Sequence, residues 1–152
     1  MRIETPFGKA WAQVNDEGAL TGFGFGDPPQ DGGGNNPDVE RQVAEYFAGR
    51  RTEFTLPLAL AGSAFQRNVW AELLKIPFGE TITYAELARR VGRPGAFRAV
   101  GRANATNRIA LIVPCHRVVG SSGELTGYAF GIAIKEKLLK WEKAQSGASS
   151  AS

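Results

Sequence analysis

The chain has 152 residues, a formal net charge of +3, one cysteine and one histidine. One cysteine excludes an internal disulfide framework, one Cys with one His cannot furnish a four-ligand structural zinc site, and no apolar run approaches the roughly 18 residues of a membrane span. The charge is divided. Residues 1–62 carry 5 Lys and Arg against 9 Asp and Glu, whereas residues 63–152 carry 13 against 6. The second half is thus a basic surface of the kind phosphate backbones attract, or an ordinary solvated one.

Met1-Arg2-Ile3-Glu4 does not read as a secretion signal, and a free thiol suits a reducing cytoplasm, the expected location. Residues 1–26 alternate in strand fashion between turn signals at Pro6-Phe7-Gly8 and Asn15-Asp16-Glu17-Gly18, which predicts a three-stranded antiparallel meander. Asp27 to Pro37, rich in Pro, Gly and Asn, reads as a flexible loop. Asp38 to Ala48 places Val39, Val43, Tyr46 and Phe47 on one face of a short helix. Thr52 to Leu60 is an extended connector. Residues 1–60 hold no catalytic constellation and read as a small α/β scaffold domain.

From Ser63 the texture is helical, with Phe65, Val69 and Leu73 at i, i+4, i+8 and Trp70 and Leu74 beside them. Thr83-Tyr84-Ala85-Glu86 fits a capping box opening a helix that runs to Val91, with Leu87 and Val91 inward. Gly92-Arg93-Pro94-Gly95 breaks it. A second helix follows from Ala96 to about Ala105, with Phe97 and Val100 expected on the core side. Helix, short glycine turn, helix is the outline of a helix-turn-helix, or of a plain helical hairpin. Its outer face carries Arg98, Gly101, Arg102 and Ala105, two arginines among tiny side chains, which suits close approach to a DNA groove.

The only cysteine and the only histidine are adjacent in Ile109-Ala110-Leu111-Ile112-Val113-Pro114-Cys115-His116-Arg117-Val118-Val119-Gly120. The apolar run reads as a buried strand or an apolar turn wall, and Pro114 turns the backbone. A lone cysteine beside apolar residues is most often a small buried hydrophobe. A thiol attacks as thiolate and needs a base within reach. On a strand the two side chains point to opposite faces, so His116 acts on Cys115 only in a turn or through a water. Ser121 to Tyr128 is a polar, glycine-rich loop able to close over a ligand. The last helix, Ile132 to Lys143, has Ile134, Leu138, Leu139 and Trp141 apolar. Glu142 shares the inward stripe of Leu138 and Leu139, where a carboxylate needs a partner. Gln145 to Ser152 reads as a disordered tail, leaving 61–144 as a helical domain and an α/β chain of the α+β kind.

Pro114-Cys115-His116-Arg117 after an apolar run, followed by Val118-Val119-Gly120, resembles the active-site signature of the O6-alkylguanine-DNA alkyltransferases, and the resemblance covers about residues 63 to 144. It implies single-turnover DNA repair: the alkyl group of O6-alkylguanine, or of O4-alkylthymine, moves irreversibly to Cys115 without metal or organic cofactor. It implies a monomer acting on double-stranded DNA by base flipping, with the second helix of the helix-turn-helix in the minor groove and Arg98 replacing the extruded nucleotide. It assigns His116 as base and Glu142 as the acid that orients it. Tyr84 would hydrogen-bond the departing guanine; Val118, Tyr128 and Ala129 would line the base pocket. Asn107 would brace the turn after the helix, although the following residue is Arg108 where the family often has proline. Phe130, at a variable family position, would restrict large substituents. Some members carry zinc in the N-terminal domain; this chain lacks the ligands. Two alternatives stand beside this reading: a lesion sensor that flips O6-alkylguanine without transfer, and a Cys-His hydrolase that regenerates its thiol.

Overall fold

The computed structural model describes residues 1–29, 33–125 and 128–150, with side chains as far as Ser146. Its three-stranded antiparallel sheet and five helices make it an α+β chain among the described residues. The chain separates into two compact units, Met1–Ala61 with Arg108–Ile112, and Gly62–Asn107 with Val113–Ser152. Five residues expected in the second domain, Arg108–Ile112, therefore group with the first.

In the first unit, β1 (Arg2–Thr5), β2 (Gly8–Val14) and β3 (Leu20–Phe25) form the meander in that order. Alternation fixes the register: Ala10, Ala12 and Val14 are buried, and Ala12 sits opposite Phe23. The small alanines on β2 leave room for the Phe23 and Phe25 rings, also buried. The β3 edge is not left open. Leu20 N–H donates to the Pro57 carbonyl at 2.8 Å, and Phe23 N–H to the Arg108 carbonyl at 2.8 Å. Helix α1 (Pro37–Phe47) starts where Asn36 Oδ1 accepts from Asp38 N–H and Pro37 supplies a preset φ. It buries Val39, Val43 and Tyr46, with Phe47 half-buried and edge-on to Phe7. Its buried Gln42 is satisfied by Thr55 through both amide atoms.

In the second unit, α2 (Ala64–Leu73) buries Val69, Trp70 and Leu73, and the Trp70 indole N–H donates to the Ala103 carbonyl at 2.8 Å. This bond ties α2 to α4 (Phe97–Ala105). Between them lie β4 (Ile82–Thr83) and α3 (Tyr84–Arg90). The α3–α4 turn needs Gly92 and Gly95, whose φ values are +76° and +89°. A 3₁₀ turn at Cys115–Arg117 leads into β5 (Val118–Val119), which pairs in parallel with β4. Helix α5 (Ile132–Ser150) closes the unit.

Several local expectations need correction. Phe97 is not on the core side: it is 51% exposed, and Ala103 and Asn104 join Val100 inward instead. Thr83 does cap Glu86 N–H, but the Glu86 carboxylate pairs with Arg89 and Arg90 rather than reaching back. The reciprocal capping box is at Ser63 and Gln66. Val91 is half-buried, and Ala88 packs inward with Leu87. Leu74 is largely exposed. Residues 145–150 continue α5 instead of forming a disordered tail, and Ser146 Oγ donates to the Phe78 carbonyl at 3.5 Å. Gly79 permits this approach, because a Cβ there would overlap Ser146 Oγ. Gln30 to Gly32 in the first loop, Thr126 and Gly127 in the second, and Ala151 and Ser152 lie outside the described residues.

Candidate active site

The apolar run before Cys115 is a turn wall, not a strand. Ile109 makes one bridge to Phe23, and the backbone then folds through two tight turns closed by Ile112 N–H to the Ala110 carbonyl and Cys115 N–H to the Val113 carbonyl, both at 2.8 Å. Leu111 takes a left-handed φ of +69°, costly for a γ-branched side chain and held by its burial. Asn107 Nδ2 donates to the Val113 carbonyl at 2.9 Å and pins the end of the excursion to the end of α4. Arg117 N–H then donates to the Pro114 carbonyl at 3.0 Å, so the Cys-His pair sits on a 3₁₀ turn.

Cys115 is buried, with 6% of its surface exposed. Burial pushes its thiol pKa up, while a hydrogen bond from Asn107, the Lys135 charge and its own backbone N–H pull the other way. His116 is fully buried, and its Nε2 lies 2.9 Å from Glu142 Oε2. Arg117 grips the same carboxylate with both prongs, Nε to Oε1 and Nη2 to Oε2, each at 2.8 Å. Its remaining Nη1 donates to the Ile76 carbonyl at 2.8 Å, and the guanidinium lies 5.7 Å from the Phe78 ring centre. Burial alone would raise the Glu142 pKa, but His116 and Arg117 outweigh it and hold the carboxyl well below the usual range. Burial lowers the His116 pKa despite Glu142. Glu142 is therefore an anion that only accepts, so neutral His116 carries its proton on Nε2 and keeps a lone pair on Nδ1. That Nδ1 has no hydrogen-bond partner among the described residues.

The other expected site residues fall in two groups. Tyr128 is buried, with no partner for its hydroxyl among the described residues, and its ring meets Phe130 edge-on at 5.6 Å. Burial, then the neighbouring Cys115 and Glu142, pushes its pKa well up. Val118 is fully buried, Ala129 is exposed, and Tyr84 is half-exposed one residue beyond the β4–β5 pairing. Arg98, Arg102 and Ala105 are exposed on α4, and Gly101 is half-exposed. A Cβ built at Gly101 meets nothing within 4 Å, so the fold itself does not require glycine there.

A family model described as the DNA-binding domain of 6-O-methylguanine DNA methyltransferase matches residues 64–144. The chain belongs to this family. Among its relatives, a methylated-DNA–protein-cysteine methyltransferase of Methanosarcina barkeri is 55% identical over 70% of this chain and 67% of that protein. One of Mycolicibacterium paratuberculosis is 50% identical over 81% of this chain and 77% of that protein. A crystal structure described as Mycobacterium tuberculosis OGT in complex with DNA superposes with a TM-score of 0.88 at 43% identity, covering 95% of this chain and 92% of that one.

Three residues of the alkyltransferase site escaped the sequence reading. Arg117 stood in the signature without a role. Lys135 is fully buried and donates to the Val118 carbonyl at 2.7 Å; burial lowers its pKa, and the Cys115 charge opposes this. Its signal was present, because Lys135, Leu138 and Glu142 share one stripe at i, i+3 and i+7. Asn104 is buried and donates to the Cys115 carbonyl at 3.4 Å, with no signal in its helical pattern. No group of His, Cys, Asp and Glu able to hold a metal occurs among the described residues, and no helix there is long and apolar enough to cross a membrane.

Proposed function

We propose that this chain repairs double-stranded DNA by moving the alkyl group of O6-alkylguanine, and of O4-alkylthymine, onto Cys115, once per molecule. The observation that carries the reading is the buried line Arg117–Glu142–His116, which ends at an imidazole nitrogen with no partner among the described residues, on the residue that follows the buried Cys115. Family membership and the DNA complex of the M. tuberculosis relative support the DNA substrate.

In this mechanism the exposed face of α4 holds the duplex through Arg98 and Arg102, with Gly101 and Ala105 allowing close approach, and Arg98 fills the place of the flipped nucleotide. Val118, Tyr128 and Ala129 line the pocket that receives the base, and Asn107 fixes the turn beneath it. His116 Nδ1 takes the Cys115 proton through a bridging water, and the sulfur attacks the alkyl carbon. The S–C bond forms as the C–O6 bond breaks. The electron pair leaves with the guanine, and Tyr84 hydrogen-bonds that developing charge. The thioether has no leaving group that water displaces under mild conditions, so the protein is consumed. Phe130 against Tyr128 narrows the pocket and disfavours bulky alkyl groups. The chain acts as a cytoplasmic monomer, with residues 1–60 as scaffold and 61–144 as the DNA-binding and reacting domain. The intact thiol and its buried relay weigh against a sensor that only binds the lesion.

The test is stoichiometry. Duplex carrying O6-methylguanine in large excess should lose one methyl group per chain and then no more. Continued demethylation would indicate a turnover enzyme and contradict the reading, as would tight lesion binding with no methyl lost.

A further inference from the structure

Resting on the DNA-repair reading above, we propose that Phe97 is a second lesion-reading residue, an apolar wedge that packs on the base step opened beside Arg98. Phe97 is the first residue of α4 and stands 51% exposed. Helical spacing places it at i, i+4 and i+8 with Gly101 and Ala105, on the edge of the face that carries Arg98 and Arg102. Nothing in the helix itself asks for an aromatic there. The core side of α4 is filled by Val100, Ala103 and Asn104, and Phe97 takes no place among them.

The neighbourhood defines the occupant. The outward residues around Phe97 are arginines and very small side chains, and Gly101 leaves open space where a Cβ would sit. A surface of that kind lets a polyanion come close, and the ring then meets whatever apolar surface that polyanion exposes. Intact duplex hides its base faces. A duplex from which one nucleotide has left the stack exposes two. Apolar side chains inserted at such steps are a recurrent device of DNA-bending proteins, and aromatic rings stack on bases regardless of sequence. Phe97 and Arg98, adjacent on the first turn, thus divide the work: the cation reaches the vacated stack and neighbouring phosphates, and the ring covers the unstacked flank.

Measuring Phe97→Ala against wild type on duplexes with and without O6-methylguanine tests this. The wedge requires about a tenfold loss of affinity for the lesion duplex, a smaller loss for the undamaged one, and an unchanged slope of log affinity against log salt. Arg102→Ala, removing a charge, should instead flatten that slope by about 1. Phe97→Trp should retain lesion affinity. The thermal midpoint of Phe97→Ala should match wild type. Equal affinity of Phe97→Ala and wild type for the lesion duplex overturns the wedge, as does an equal loss on both duplexes. If wild type removes no methyl from the lesion duplex, the DNA-repair reading fails and the wedge with it; wild-type transfer with equal binding sinks the wedge alone.

Discussion

At Cys115 burial and chemistry pull in opposite directions. Burial raises the thiol pKa, which disfavours the thiolate that must attack. In the proposed mechanism attack needs a base inside the site, and His116 is placed for that role: His116 and Arg117 hold Glu142 anionic, and Glu142 fixes the imidazole tautomer. Glu142→Gln keeps the shape but removes the charge that favours the imidazolium, and methyl transfer should slow about a hundredfold, the lower end of what general-base catalysis contributes. A rate unchanged in stopped mixing with lesion duplex would remove Glu142 from the mechanism. The internal proton transfer also sets the pH profile. Because the proton passes from sulfur to His116 without entering bulk water, the rate should stay level between about pH 6.5 and 8.5, the ordinary pKa values of imidazole and thiol. A thiolate formed by solvent would show a tenfold rise per pH unit over that range. Much of this site was legible in the chain, since Cys115 and His116 are unique and Glu142 lies on an inward stripe. Arg117 was not, because a pattern counts a long cation as surface until a specific carboxylate is seen to take it, and the same rule hid Lys135 although it shares the stripe of Leu138 and Glu142.

The elements that present the site were legible where a periodic pattern and a terminator agreed, as at α3, the Gly92–Gly95 turn and α4. They were misread where two local rules competed. Thr83-x-x-Glu86 matches a capping box, yet Arg89 and Arg90, three and four residues on, take the Glu86 carboxylate. At Ser63 the third helical residue is the uncharged Gln66, which reaches back freely. Phe97 matched the i, i+3 spacing to Val100, but a first-turn residue has no preceding helical turn to fold against, and about half of its surface stays exposed. Residues 145–150 look like a tail by composition, yet α5 carries on through them and Ser146 bonds to the chain at Phe78. On α4, the proposed DNA contact at Gly101 can be tested apart from folding. Gly101→Ala meets no atom and should stabilise the protein by about 0.5–1 kcal/mol, the usual gain of alanine over glycine within a helix. The same change should weaken binding to duplex, measured by anisotropy. A stabilised variant with undiminished DNA affinity would show that the close approach is not made at this position.

For the whole molecule, the buried ionisable groups translate into a stability profile. His116 is held below its ordinary pKa of about 6.5, so on acidification the unfolded chain takes up that proton first and stability falls from there downward. Glu142 is held low, so its contribution is present above about pH 4.3 and is lost as pH falls toward its folded value. Cys115 is raised, so its contribution is present below about pH 8.5 and is lost as the unfolded thiol ionises above that. The thermal midpoint should therefore peak between about pH 6.5 and 8.5 and decline on both sides. Glu142→Gln should be less stable at neutral pH and show a shallower acid decline in calorimetry; parallel wild-type and variant curves would contradict the assignment. The split between an acidic first half and a basic second half was visible in the residue counts. The grouping of Arg108–Ile112 with the first unit was not, because the backbone pairing of Phe23 with Arg108 and Ala110 spans more than 80 residues and leaves no local mark.

The central claim is that one sulfur captures the carbon permanently. Peptide mass mapping after reaction with a duplex carrying an isotopically labelled O6-methyl group tests it most directly. The account predicts the label on the peptide containing Cys115, on sulfur, in a yield equal to the guanine restored. Restored guanine with an unlabelled Cys115 would contradict it.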